Sequence, residues 1–349
     1  MKWREELTRR FPDLRKLPRG CYIVGGAIRD LLMGIEPADA DVACHDPLAA
    51  AKTIRPRAIR LGDQEHLSAW RVVAGPHIYD FAALLDNAIL PDLERRDFTV
   101  NAMAVDLESD ELIDPFGGRS DVAAKSVRMV RASNFDDDPL RTLKGVRLAV
   151  KYDMEIDGAT LSAMRQRAPR ITEMAVERVN YELSLILSAG KLRRAIALLR
   201  ETQLLEPLGF ESREPKADDV SLAGAYALLV SDPEAYGRRW RWSARLVRDV
   251  IALQRLVETH DRMSLYDAGE PLARQLPALL RALGRDEQLD VADFAIVALL
   301  TGQEIAALAS IASGPEVGRI KRALLEAQVR GEVGTRDQAE ALVRSLATA

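Results

Sequence analysis

Tyr22-Ile23-Val24-Gly25-Gly26-Ala27-Ile28-Arg29-Asp30, followed a short loop later by Asp39-Ala40-Asp41, is the stretch on which the reading of this chain turns. The apolar run predicts a strand over 21–24, the glycine pair a turn, and residues 27–33 a helix that Gly34 closes. Bare amides at a helix N-terminus attract phosphate, and a residue without Cβ lets the phosphate come close. A glycine pair alone is weak evidence, because most such pairs serve only as turns. Asp39 and Asp41 add to it. On a strand, residues i and i+2 point the same way, which puts both carboxylates on one side, about 7 Å apart along the chain. Like charges so placed repel, and a divalent cation is the usual remedy. An isolated D-x-D is more simply a solvated loop, so the rest of the chain has to decide.

Working outward, Trp3, Leu7, Phe11 and Leu14 recur at helical spacing over residues 1–17, and Pro18-Arg19-Gly20 ends that segment. Strand-like runs follow at 58–61, 69–73 and 77–81. Asp80 lies in the last of them between Tyr79 and Phe81, where it is either an edge residue or a third carboxylate beside Asp39 and Asp41. In Arg95-Arg96-Asp97-Phe98-Thr99-Val100-Asn101-Ala102-Met103-Ala104, the arginines suit phosphate oxygens, and Asp97 and Asn101 suit sugar hydroxyls. A capped helix start with solvated arginines is the plainer alternative. Residues 105–107 and 112–114 read as a hairpin, Pro115-Phe116-Gly117-Gly118 as a tight turn, and 127–130 as a final strand.

Beyond Ser133 the pattern is helical to the end, which predicts an α+β chain: a mixed sheet with helices, then an all-helical half. Asp136-Asp137-Asp138-Pro139-Leu140-Arg141 reads as a helix start, with proline in the first turn and acids at the positive end. Arg141, Lys144, Arg147 and Lys151 then fall at spacings of three and four and make one helix face cationic. Glu177-Arg178 and Glu182 sit on a later helix, where Arg178 and Glu182 have the i, i+4 spacing of a pair. Tyr236-Gly237-Arg238-Arg239-Trp240-Arg241-Trp242 mixes arginine and aromatics as RNA-binding surfaces do, and suits equally a helix with Trp buried and Arg exposed. Lys191-Leu192-Arg193-Arg194 is a second basic spot.

With 349 residues, 48% hydrophobic and 29% charged, the composition is that of a globular chain of two or more domains. A net charge of -4 argues against a protein that coats nucleic acid indiscriminately, while leaving room for local basic faces. Cys21 and Cys44 show no C-x-x-C spacing and no leader-like run opens the chain, which points to a reducing cytoplasm. No run is apolar and long enough for a membrane span, so no membrane is expected as a partner. His45, His66, His77 and His260 form no metal-ligand pattern, and His260-Asp261 stands without the further histidines of a phosphohydrolase.

Taken in order, six segments resemble the class II tRNA nucleotidyltransferase and bacterial poly(A) polymerase family. They are Val24 through Asp30, Asp39-Ala40-Asp41, Arg95 through Ala102, Ile113-Asp114-Pro115-Phe116-Gly117-Gly118, Phe135 through Arg147, and Glu177-Arg178 with Glu182. The C-terminal half matches more weakly, through Gly314-Pro315-Glu316-Val317-Gly318 and Gly331-Glu332-Val333. The resemblance implies a polymerase-β-like catalytic head over 1–133, a helical neck with a base-reading helix over 134–205, and a helical RNA-binding body and tail over 206–349. It implies two Mg²⁺ ions, held by Asp39 and Asp41 with Asp80 as the third carboxylate. Gly25, Gly26 and Arg29 would meet the triphosphate, and Arg96, Asp97 and Asn101 the triphosphate and ribose. Asp138 and Arg141 would read the base of the incoming nucleotide, Lys144 and Arg147 would complete a cationic wall, and Glu177, Arg178 and Glu182 would brace the reader. The implied substrates are CTP and ATP, and the implied partner is the 3′ end and acceptor arm of tRNA.

The match has departures. Lys144 replaces a usual Arg, Asp137 a usual Glu, Leu148 a usual Phe and Ala40 a larger apolar residue. The segment from Asp80 to Arg95 is short, with Leu85 near a position where Arg is common, which keeps a CC-adding enzyme open beside full CCA addition. A poly(A) polymerase is the other family alternative, and a non-catalytic RNA-binding protein the alternative from a different class. A small-molecule nucleotidyltransferase shares the glycine and D-x-D logic without needing so long a helical half.

Overall fold

A computed structural model describes residues 1–61, 69–289, 294 and 296–347, so His66 lies outside the described residues. Two compact units emerge, Met1–Ala189 with Ala197–Leu208, and Gly190–Ile196 with Gly209–Ala349.

The first unit is built on a seven-stranded mixed sheet of order β3-β4-β5-β2-β1-β6-β7. Its strands are β1 (Tyr22–Val24), β2 (Asp39–Cys44), β3 (Ile59–Leu61), β4 (Ala69–Ala74), β5 (His77–Ala83), β6 (Ala104–Asp106) and β7 (Leu112–Ile113). β2 runs parallel to β5 and antiparallel to β1, while the predicted hairpin of β6 and β7 forms as an antiparallel pair. Ile23, Val42, Tyr79, Phe81 and Val105 are buried on one face of the sheet, while Val24, Ala43 and Ala104 pack with Leu84 and Leu93 on the other, so its centre is covered on both faces.

The helices of this unit are α1 (Trp3–Arg10), α2 (Gly26–Leu32), α3 (Pro47–Ile54), α4 (Ile89–Glu94), α5 (Gly118–Ala123), α6 (Asn134–Asp137), α7 (Arg141–Tyr152), α8 (Gly158–Arg167) and α9 (Val176–Leu187). The amphipathic N-terminal segment is interrupted where Pro12 begins a short 3₁₀ turn, because proline lacks the N–H and its ring clashes with the preceding turn.

Two expectations need correction. The final strand of the first half shortens to β8 (Ser126–Val127), which pairs in parallel with β9 (Glu155–Ile156) outside the main sheet, so the chain is not purely helical after Ser133. The acids before Pro139 also do not open the long helix. Asp136 and Asp137 belong to the one-turn α6, Asp138 is extended at φ -144° and ψ 89°, and α7 starts at Arg141. The cause is local: the ring of Pro139 disfavours a helical conformation in the residue before it.

In the second unit, Tyr236 and Trp240 are buried in a cluster with Phe210, Tyr226 and Trp242, the closest ring centroids being 4.3 Å apart. The arginine-aromatic segment therefore takes the form with rings inward, while Arg238 and Arg241 are exposed. His260 pairs with Glu287 and Asp261 caps the helix Arg262–Ala268, so this dipeptide serves structure. The last three helices, Gly302–Ala309, Pro315–Val329 and Arg336–Ala347, close on a core of Ile305, Ile320, Leu324, Ala339 and Val343. Among the described residues, no helix is long and apolar enough to cross a membrane.

Candidate active site

The site grows from the turn between β1 and α2. Gly25 caps α2 with φ +75°, a left-handed backbone that favours glycine. A Cβ there would lie 3.0 Å from Arg96 Nη1 and 3.7 Å from Asp41 Oδ2, so Gly25 fills the narrow space between an arginine and a carboxylate. Gly26 follows as the first residue of α2.

Asp39 and Asp41 share one face of β2, and Asp41 is in register with Val24 on one side and Asp80 on the other. Burial, with the charges of Asp39 and Asp80 adding to it against Arg96, pushes the Asp41 carboxyl up to about 6. Burial first and Asp80 second push Asp39 up as well. Asp80 is not free: Arg71 on β4 holds it bidentately, Nε to Oδ1 at 2.8 Å and Nη2 to Oδ2 at 2.7 Å.

Whether these residues suit magnesium follows from their charge. Two carboxylates that oppose each other's ionisation leave negative charge unmet, and Mg²⁺ is characteristically held by one or two carboxylates together with substrate phosphates and water. No group of three metal-binding side chains gathers among the described residues, consistent with the commitment of Asp80 to Arg71. Asp39 and Asp41 fit the ion as a pair that needs the substrate's own oxygens to complete it.

Behind the turn lies a relay of hydrogen bonds. Arg29 is buried, donates to Asp30 Oδ1 from Nε at 2.9 Å and from Nη2 at 2.7 Å, to Asn101 Oδ1 at 2.5 Å and to the Tyr152 hydroxyl at 2.6 Å, and stacks over that ring at 4.4 Å. Asn101 donates to Asp97 Oδ1 at 3.1 Å, and Asp97 Oδ1 also accepts from the Phe98 amide at 2.8 Å. Asp92, buried, accepts from Arg95 at 2.6 Å and from Arg96 at 3.1 Å. Asp114 of the glycine-rich turn accepts from the amides of Gly118 and Arg119, which satisfies two free N–H groups in the first turn of α5.

A second group forms around the start of α7. Asp138 Oδ2 accepts from Arg178 at 2.8 Å, with Lys144 Nζ at 3.7 Å, and Glu182 accepts from Arg147 at 2.7 Å. The spacing-based pair of Arg178 with Glu182 is thus replaced: each side chain of α9 reaches across to α7 or its lead-in, where a buried carboxylate or cation needs a partner. Glu177 stands in the first turn of α9. Arg96 Nε, Asp138 Oδ1 and Arg141 Nη1 are buried without a hydrogen-bond partner among the described residues. Orphaned polar atoms are costly to bury, and they occur elsewhere in the chain too, at the Tyr236 hydroxyl and Trp242 Nε1 among others.

Three participants escaped the sequence reading. Arg71 was findable, because counting outward from the Gly75-Pro76 turn through Ala74 and His77 sets it opposite Asp80. Asp92 was findable too, since 92, 95 and 96 share one helical face. Tyr152 carried no signal, standing 123 residues from Arg29.

A mixed sheet whose adjacent central strands present carboxylates beside a glycine-turned helix start defines a nucleotidyltransferase of the polymerase type. Residues 21–87 and 67–128 match the Poly A polymerase head domain, and residues 153–211 match the probable RNA and SrmB-binding site of polymerase A. The chain is 31% identical to an A-adding tRNA nucleotidyltransferase of Deinococcus radiodurans, covering 97% of this chain and 98% of that one. It is 29% identical to a CCA-adding enzyme of Lactococcus lactis over 94% of each. In fold it is similar to the Bacillus stearothermophilus CCA-adding enzyme solved with CTP, at TM-score 0.78 and 24% identity over 99% and 98% of the two chains. The Thermotoga maritima CCA-adding enzyme complexed with tRNA follows at TM-score 0.71 and 20% identity, over 99% of this chain and 94% of that one. The chain belongs to the class II tRNA nucleotidyltransferase and bacterial poly(A) polymerase family.

Proposed function

We propose that the chain is a cytoplasmic, template-independent tRNA nucleotidyltransferase that adds C and A to the tRNA 3′ end from CTP and ATP. The observation that carries this is the pair of buried, unpartnered atoms at the start of α7, the acceptor Asp138 Oδ1 and the donor Arg141 Nη1. The Arg141 amide donates to the Asp138 carbonyl at 3.0 Å, so the two residues are tied into one turn. An acceptor and a donor fork so close together suit the Watson–Crick edges of C and A, and a protein that reads the base needs no template strand.

The remaining residues take roles by position. The turn at Gly25 and Gly26, with Arg96, faces the triphosphate, and Asp97 and Asn101 are set for the ribose hydroxyls. Arg29, with its donors committed to Asp30, Asn101 and Tyr152, contributes by holding Asn101 in place. Lys144 and Arg147 supply positive charge along α7, with Arg178, Glu177 and Glu182 of α9 bracing them. Asp39 and Asp41 would hold Mg²⁺, which supplies charge neutralisation of the triphosphate and activation of the attacking hydroxyl. Asp80 faces the same side, where it stands to draw the proton of the RNA 3′-hydroxyl. That hydroxyl attacks the α-phosphate in line, and pyrophosphate leaves. The helical second unit serves as the RNA-binding body and tail, beyond a neck that carries α7 and α9.

The test is an extension assay on tRNA ending at the discriminator base, with CTP, ATP or both. Addition of C from CTP, followed by A when ATP is present, is expected; no extension under any condition overturns the proposal. The similarity to a relative named as A-adding supports a second reading, in which only tRNA already ending in CC is extended, and only with ATP. Incorporation from CTP alone with no A addition marks the CC-adding alternative, and a long A tail on unstructured RNA the poly(A) polymerase.

A further inference from the structure

We propose that Cys21 and Cys44 are an oxidisable pair, a modification site at which a hydroperoxide closes a reversible disulfide across β1 and β2. The inference is independent of the nucleotidyltransferase reading, because it uses neither the carboxylates nor the base-reading residues.

Cys21 directly precedes β1, and Cys44 ends β2. The antiparallel ladder pairs Tyr22 with Ala43 and Ile23 with Val42, and one further step sets Cys21 opposite Cys44. Opposed residues on antiparallel strands have Cα atoms about 4.5 or 5.5 Å apart. A disulfide accepts about 4.4–6.8 Å, so the bond needs side-chain rotation and no movement of the strands. Backbone hydrogen bonds hold both positions: the Leu107 amide donates to the Cys21 carbonyl at 3.3 Å and the Leu84 amide to the Cys44 carbonyl at 3.1 Å. The two sulfurs are themselves hydrogen-bonded. The Cys44 thiol donates to Cys21, which draws the Cys21 thiol below its ordinary range and pushes Cys44 up. Cys21 is therefore the sulfur that ionises first and attacks.

Both cysteines are buried, yet each adjoins exposed residues, Pro18-Arg19 beyond Gly20 on one side and His45-Asp46 on the other. The pair thus lies at a strand end, where the fold opens most readily to a small oxidant. Within the sheet it projects to the face of Ile23 and Val42, away from Asp39 and Asp41.

The Cys21 thiolate attacks one oxygen of the hydroperoxide, the O–O bond breaks, and the alcohol, or water from hydrogen peroxide, leaves with the proton. The Cys44 sulfur then attacks the Cys21 sulfenic acid. The S–S bond forms, the S–O bond breaks and water departs, so the two thiols lose two electrons and the hydroperoxide gains them. A dithiol reverses the reaction by exchange. The bond closes the loop 21–44, which contains the Gly25-Gly26 turn with Asp39 and Asp41, and so staples that segment in place.

The experiment treats the full, folded chain with hydrogen peroxide, blocks residual thiols with N-ethylmaleimide in denaturant and maps the peptides by mass spectrometry. A Cys21–Cys44 cross-linked peptide free of maleimide is expected, reversed by dithiothreitol, with the melting temperature of the oxidised chain raised by about 5 °C. Cys44→Ser is expected to stop at a Cys21 sulfenic acid that dimedone captures, with no rise in melting temperature, and Cys21→Ser to react more slowly. Maleimide on both cysteines after peroxide, sulfinic acid without the cross-link, or a cross-link between two chains overturns the proposal. So does a cross-link that forms only once urea has unfolded the chain. Equal reaction of the two single variants overturns Cys21 as the attacking sulfur.

Discussion

Replacing Asp41 by Asn should stabilise the metal-free protein while destroying its activity. Burial together with Asp39 and Asp80 holds the Asp41 carboxyl at about 6 in the folded chain, against an ordinary 3.8. The folded state thus binds this proton more tightly than the unfolded state does. The associated stability is fully present below about pH 4 and is lost as pH rises toward 6. A shift of about two units corresponds to at most about 3 kcal/mol at pH 7.5, and to about half of that once the water-facing side of this half-buried carboxylate is counted. Asn has nearly the same shape and no charge, so it removes the penalty. Urea melts in EDTA should show Asp41→Asn more stable than wild type by about 1.5 kcal/mol at pH 7.5, with the gap closing by pH 4.5. Saturating Mg²⁺ should raise the wild type alone, because an ion that binds only the folded state stabilises it by mass action. A variant equal to or weaker than wild type at pH 7.5 would refute the reasoning, since it would mean that the carboxylate already has a partner.

Other positions give sharp outcomes. Arg141→Ala removes the buried donor proposed to read the base, and kcat/KM for single-nucleotide extension should fall by about 10- to 100-fold, the equivalent of about 1–3 kcal/mol, with the melting temperature little changed. Asp138→Asn exchanges part of an acceptor for a donor and should blur the choice between CTP and ATP in a competition assay. Gly118→Ala has no room, because the new Cβ would run into the Thr99 carbonyl and lie 2.9 Å from Met103 Cγ; a loss of about 1–3 kcal/mol in the unfolding free energy from urea melts is expected. Asp92→Ala leaves Arg95 and Arg96 without their shared acceptor, and should raise KM for the nucleotide more than it lowers kcat.

The sequence was most legible where one local rule acted alone. The alternation around Asp39 and Asp41, the glycines of the α2 turn and the β6–β7 hairpin all emerged as expected, because period and turn chemistry depend only on neighbours. Where two rules competed, the reading slipped. At Asp136-Asp137-Asp138-Pro139 the acids signal a helix start, yet the steric effect of proline on the preceding residue is stronger, and it throws Asp138 into an extended conformation. That break leaves Asp138 meeting Arg178 of α9 with one oxygen, while the other is buried without a hydrogen bond among the described residues. At Arg178 and Glu182 the helical spacing suggested a pair within one helix, whereas Glu182 is 4% exposed and takes its cation, Arg147, from another element. The pairing of β8 with β9 joins segments nearly thirty residues apart and had no local signature.

Arg29 shows how distance in the chain hides a role even when the residue is noticed. Its position in the glycine-turn helix suggests a direct phosphate contact, but its donors run to Asp30, Asn101 and Tyr152, and its plane stacks on the Tyr152 ring. Tyr152 is the last residue of α7, the helix that begins beside Asp138 and at Arg141. One buried guanidinium of α2 therefore ties the far end of that helix to Asn101 and, through it, to Asp97. On the proposed function the turn would meet a triphosphate while the α7 start would read a base on the same nucleotide, so the two would have to keep a fixed separation. A buried cation with four directed hydrogen bonds and an aromatic face sets such a separation more rigidly than apolar packing, because each bond fixes an angle as well as a distance. On the proposed function Arg29 would act on the nucleotide through the spacing of the groups that touch it.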